Sequence, residues 1–154
     1  MDSCVSDSLK RQVQAELQEL EAELRTFRPM ITRSRRAVPR QVNAFALAAL
    51  LQSFYNGIEN IFKRIILESG EALPHGEMWH QDLLKRMAMG SEKRRAVLSE
   101  EMWMRLLEYL RFRHFFRQAY SHHLNWGKMK PLVHSLEETY QLFRDEIQKN
   151  ILSD

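Results

Sequence analysis

Apolar side chains return at every third or fourth position along most of this chain, the period of helices that bury one face, and the sequence predicts five helices and no sheet. Leu9, Val13, Leu17, Leu20, Leu24 and Phe27 form one stripe, which predicts an amphipathic helix over about Asp7 to Phe27 with Ser6 as its N-cap. Pro29 and Pro39 bound "RPMITRSRRAVPR", expected to be a basic connection over about residues 28–40. A second helix is expected over about Pro39 to Glu68. Val42, Phe45, Ala46, Ala49, Leu50, Ile58, Ile61, Phe62 and Ile65 fall there at helical spacing, Gly70 acts as a stop, and Gly57 permits close packing or a bend. A third helix runs over about Pro74 to Met89 and ends at Gly90, after which "SEKRRAV" is a loop. Ser99 caps a fourth helix, whose first turn holds Glu100 and Glu101 and which continues to about Leu124. "NWGKMK" turns the chain into a fifth helix over Pro131 to about Ile151, with Leu132, Leu136, Tyr140, Phe143 and Ile147 on its apolar face. The expected fold is an all-α up-and-down bundle of about five helices.

A chain of 154 residues is long enough for a core that needs no disulfide or metal, so residues 1–154 read as one domain. The single cysteine, Cys4, excludes a disulfide scaffold and a thiolate zinc site and points to a cytoplasmic protein. The first thirty residues hold no apolar run of a secretory signal. The most apolar stretch, Val42 to Phe54, is thirteen residues, short of the roughly 20 that span a bilayer, so no membrane association is expected.

The net charge of +3 is modest but unevenly spread. No acid lies between Glu23 and Glu59, where Arg25, Arg28, Arg33, Arg35, Arg36 and Arg40 fall, and none between Glu108 and Glu137, where Arg111, Arg113, Arg117, Lys128 and Lys130 fall. Such a polarised surface attracts a polyanion.

The segment "YLRFRHFFRQAYSHHLNW", residues 109–126, is the chemical focus: it sets three arginines and three histidines among large apolar rings with no acid. At about 100° per residue, Arg113, Arg117 and Tyr120 share the face of Met102, Leu106, Tyr109, Leu110, Phe116 and Leu124. Desolvating an unpaired guanidinium costs several kcal/mol, so an anion must meet it. Glu59, a ligand phosphate and a wet cleft at a subunit boundary are the alternatives, and the arginine fork matches two phosphate oxygens at once. His114, Gln118, His122 and His123 lie in other sectors together with apolar Phe112, Phe115 and Ala119, which suggests packing against a partner subunit as well. A zinc site fails, because His75 and His80 lack a third convergent ligand. A nucleotide-binding regulatory domain finds no Gly-rich phosphate loop to support it.

These residues resemble the HEPN superfamily, and within it the HepT-like ribonuclease toxins. Their signature is an arginine, a histidine after four intervening residues and a tyrosine two positions later, and "RHFFRQAY" places Arg113 and Tyr120 at that separation. "FYNGIENIFKRI" at 54–65, "WHQDLLKRM" at 79–87 and "LRFRHFFRQAY" at 110–120 occur in the order of that group, so the likeness covers most of residues 40–130. It implies a HEPN-type bundle and a metal-independent endoribonuclease without cofactor, the toxin of a toxin–antitoxin pair. The implied partner is a minimal nucleotidyltransferase antitoxin that uses ATP to adenylylate Tyr120, and the implied assembly is a homodimer within the hetero-oligomeric complex. Arg113 would stabilise charge on the scissile phosphate of RNA, while Arg117, His114, His122, Arg33, Arg35 and Arg36 would contact the substrate.

The chain departs from the signature at Gln118, where the family has histidine. Glutamine cannot accept a proton from a ribose 2′-OH, and loss of a general base costs about 10² to 10⁴ in rate, so impaired cleavage is expected. A deliberate change, drift to an inactive form, or a substitute such as His122 or His114 remain open, and so does a non-catalytic helical module for protein interaction or RNA binding.

Overall fold

The computed structural model describes residues 5–118 and 124–154. Among these the chain forms six α-helices: α1 (Asp7–Ser34), α2 (Gln41–Glu68), α3 (Trp79–Ala88), α4 (Glu100–Gln118), α5 (Trp126–His134) and α6 (Leu136–Ile147), followed by a π-helical turn over Gln148–Leu152. The expected all-α bundle is what forms. α2 is its centre and packs against α1, α3, α4 and α5. It buries residues on most of its circumference, among them Leu47, Leu51, Phe54, Tyr55, Ile58 and Phe62. That explains why its sequence is so apolar. Tyr140 of α6 ties the far side closed by donating its hydroxyl to Glu21 at 2.7 Å on α1, and Phe62 meets Phe143 edge-on at 6.0 Å.

Several local expectations hold for their stated reasons. Ser6 accepts the Leu9 N–H at 3.1 Å and Ser99 accepts that of Met102 at 3.1 Å, so both cap their helices. Gly70 takes φ +77°, the left-handed conformation that ends α2. Gly57 serves close packing: a Cβ there would lie 2.6 Å from Leu20 Cδ2 of α1.

Other expectations are corrected. The first half of the basic connection at 28–40 is helix, because α1 runs through Pro29 to Ser34. Proline removes one backbone bond, yet tertiary contacts hold the turns beyond it. Ile31 is buried, Ser34 Oγ donates to the Ile31 carbonyl at 2.6 Å and contacts His134 Nε2 at 3.2 Å, Arg35 donates to the His134 carbonyl at 2.7 Å, and Arg28 pairs with Glu137 at 2.7 Å. The third helix starts at Trp79 rather than Pro74, after Gly76 at φ +95°.

The fifth helix is two. α5 begins at Trp126, with Pro131 inside it, and breaks at Ser135. There the Tyr109 hydroxyl takes the Leu132 carbonyl at 2.8 Å, an acceptor that a continuous helix would give to a residue four positions on. Val42 and Phe45, read as core positions, are 79% and 42% exposed. The buried stripe of α2 runs through Ala44, Leu47, Ala48 and Leu51, and the helical period turns Val42 and Phe45 about 160° and 100° away from Ala44. Among the described residues no helix is long and apolar enough to cross a membrane.

Candidate functional site

α4 is anchored before it reaches the polar residues of interest. Met102, Leu106, Tyr109, Leu110 and Phe112 are buried along it, and Tyr109 meets Phe54 of α2 edge-on at 5.5 Å. These contacts fix the rotation of α4 about its axis, so that Arg113, one turn beyond Tyr109, is turned to α2 and α3. Its Nε donates to Asn56 Oδ1 at 2.9 Å, and one terminal nitrogen lies 3.4 Å from His80 Nε2. His80 in turn places Nδ1 2.6 Å from Glu59 Oε2. Three helices thereby contribute to one chain of contacts, Glu59 to His80 to Arg113 to Asn56.

Donor and acceptor chemistry orders that chain. An ionised carboxylate only accepts and a guanidinium only donates, so His80 carries its hydrogen on Nδ1 and turns the Nε2 lone pair to Arg113. Glu59 is 3% exposed, and its negative charge needs a partner that the imidazole supplies. Arg113 itself is only partly buried and makes no ion pair with a carboxylate among the described residues. Glu59, one expected partner for this arginine, therefore reaches it through an imidazole. His80 stacks on Trp79 at 3.6 Å, and Lys63 Nζ lies 4.7 Å from the Trp79 ring centre. The Tyr55 hydroxyl is buried beside this cluster without a hydrogen-bond partner among the described residues. Burial raises its pKa above the ordinary tyrosine range, Glu59 adds to the rise, and Arg113 opposes it.

The remaining sequence candidates are distributed differently. Arg117, His114 and Gln118 are exposed on α4, so of the two arginines assigned to the apolar face only Arg113 is partly buried. Tyr120 and His122 lie outside the described residues. Arg33, Arg35 and Arg36 are exposed at the end of α1, where Arg35 is engaged with α5. No hydrogen bond or ion pair among the described residues joins them to Arg113.

Sequence reasoning missed Asn56 and considered His80 only as a zinc ligand. The signal was present: Asn56 and Glu59 lie in "FYNGIENIFKRI" and His80 in "WHQDLLKRM", the two segments of family likeness outside the signature. Their convergence on Arg113 is a tertiary fact.

The family of HepT-like proteins matches the chain over residues 46–152. That span contains α3 to α6, nearly all of α2, and every residue of the Arg113 cluster. No curated protein and no solved structure matches the chain.

Proposed function

The chain belongs to the HepT-like family of the HEPN superfamily, and on that premise we propose that it is the toxin of a toxin–antitoxin pair, an endoribonuclease that cuts RNA without a metal by attack of a ribose 2′-OH on the adjacent phosphate. One observation carries the reading. The Arg113 guanidinium is held by Asn56 and His80 and by no carboxylate among the described residues, and so keeps its charge for an incoming anion. A fork held rigid before the substrate arrives is what stabilisation of a phosphoryl transition state requires.

In this reading Arg113 contacts the scissile phosphate, while Arg117 and His114 on the exposed side of α4, with His122 beyond it, meet the RNA strand. Arg33, Arg35 and Arg36 add backbone contacts that depend on charge and not on sequence. Gln118 stands at the position where the family signature has histidine, so proton transfer from the 2′-OH is impaired there. Tyr120 is the target of adenylylation by a nucleotidyltransferase antitoxin, and two copies of the chain sit together in that complex in the cytoplasm.

Cleavage of a labelled single-stranded RNA by the Gln118→His protein, in the presence of a chelator, tests the activity. Cutting is expected, with a loss of about 10² to 10³ on further replacement of Arg113 by alanine. Intact RNA with both the unaltered chain and the Gln118→His protein refutes the nuclease reading. Incubation with the antitoxin and ATP should add AMP mass to Tyr120.

A second reading, a non-catalytic interaction module, is favoured by the exposure of Val38, Val42 and Phe45 at 76%, 79% and 42%. It predicts partner binding that is indifferent to Arg113→Ala.

A further inference from the structure

We propose that His80 is the general base of this site and that Glu59 is the positioning residue that orients it. The inference rests on the ribonuclease reading above and adds the group that takes the proton where Gln118 cannot. Its basis is the bonded pair itself. Glu59 holds Nδ1 of His80 at 2.6 Å, which fixes the tautomer and leaves a basic lone pair on Nε2. A buried carboxylate on one imidazole nitrogen is the arrangement by which hydrolases orient a histidine base, and here the other nitrogen faces Arg113 through a long 3.4 Å contact that an incoming phosphate on the guanidinium would replace. Glu59 is 4% exposed at its side chain and His80 is 20% exposed, so the carboxylate is sequestered while the ring still has an accessible side.

The location is equally specific. His80 Nε2 stands 3.4 Å from the Arg113 guanidinium. A phosphate drawn to Arg113 therefore arrives beside Nε2, and the 2′-OH next to that phosphate comes within reach of the lone pair. Stacking on Trp79, and the Asn56 bond to Arg113 Nε, limit how far either group can turn away. His114, the other described histidine near Arg113 in sequence, is exposed and has no hydrogen-bond partner among the described residues to orient it.

The step balances without a metal or cofactor. Nε2 takes the proton of the 2′-OH, the 2′-oxygen forms a bond to phosphorus, and the bond from phosphorus to the 5′-oxygen breaks. The leaving 5′-oxygen takes a proton from water, and His80 later returns its own to water. The products are a 2′,3′-cyclic phosphate and a free 5′-hydroxyl. Glu59 on α2 favours the imidazolium that forms, Arg113 on α4 opposes it, Lys63 on α2 lies beyond the stacked Trp79, and Tyr55 on α2 is a titratable neighbour of Glu59 and Arg113.

The test compares the full chain with its His80→Gln, His80→Ala, Glu59→Gln and Gln118→His variants on one oligoribonucleotide, with kcat and KM measured across pH. For the unaltered chain, cleavage is expected with an acidic limb in kcat. His80→Gln should lower kcat by about 10² to 10⁴ with KM little changed, and the limb should disappear. Glu59→Gln should move the limb to lower pH, because the carboxylate charge that favours the imidazolium is gone. Added imidazole should restore turnover to His80→Ala in proportion to its free-base form, a readout that also shows the variant to be folded. Unchanged kcat and pH profile in His80→Gln overturn the proposal and leave the nuclease reading intact. So does an unaltered chain that is inert while Gln118→His cuts. If neither of those two proteins cuts, the nuclease reading itself falls and the proposal falls with it.

Discussion

Replacing Gly57 by alanine adds a single methyl group at a point of close contact between α1 and α2, and its effect can be worked from the contact. The new Cβ would stand 2.6 Å from Leu20 Cδ2, 3.1 Å from its Cγ and 3.5 Å from its Cδ1. Carbon atoms rest at about 3.5 to 4.0 Å, so the Leu20 methyl must retreat by roughly 1 Å. Leu20 is 4% exposed, so its displacement disturbs packed neighbours, although it borders the open cleft that Gly57 also lines. Overpacking of this kind costs about 1–3 kcal/mol. Alanine in a helix interior gains about 0.8–1.0 kcal/mol over glycine, so the net expectation is a loss of about 1 kcal/mol. The same substitution in a Leu20→Ala background meets no methyl. There the clash is absent and the helical gain remains, so the sign reverses to a stabilisation of up to about 1 kcal/mol. Urea unfolding at fixed protein concentration, followed by far-ultraviolet circular dichroism, measures both changes. Equal losses in the two backgrounds would show that the contact with Leu20 is not what requires glycine. Asn56 adjoins Gly57 and Glu59 lies two positions on, so any displacement of α2 is carried directly to the residues that meet Arg113 and His80.

Two further perturbations read other parts of the same architecture. Tyr109→Phe leaves the Leu132 carbonyl without its 2.8 Å donor and should lower stability by about 1–2 kcal/mol, a fall in Tm of roughly 2–8 °C; an unchanged Tm would mean that water replaces the hydroxyl at no cost. His134 is less willing to take a proton in the fold than in the unfolded chain, because burial disfavours the imidazolium and the charges of Arg35 and Lys130 add to that, with Ser34 opposing. The unfolded chain is then protonated first as pH falls through the ordinary histidine range of about 6.5, so this contribution to stability is present above that range and is lost below it. Thermal melts at pH 7.5 and 5.5 should therefore show a smaller acid-induced drop for His134→Gln than for the unaltered chain, and equal drops would contradict the assignment.

What the sequence determined by itself was periodic or local. The stripe Leu9, Val13, Leu17, Leu20 and Leu24 specifies the buried face of α1 because helical geometry repeats every 3.6 residues whatever the partner. Ser6, Ser99 and Gly70 mark helix ends through hydrogen bonds and backbone preferences that span only a few residues. Arg113 stood out because a charge on an apolar stripe is conspicuous without any knowledge of its neighbours.

The tertiary structure decided the rest, for a common reason: those features depend on groups far apart in the chain. α1 continues past Pro29 because Arg28 and Arg35 find Glu137 and the His134 carbonyl about a hundred positions away. The helix after Trp126 breaks at Ser135 because Tyr109, from another helix, takes one of its carbonyls. Asn56, His80 and Arg113 lie on three helices, and no spacing rule relates them. Only the packing of α3 and α4 on α2 brings the Asn56 carboxamide and the His80 imidazole to the Arg113 guanidinium, since a hydrogen bond requires atoms within about 3 Å and the sequence records only their order.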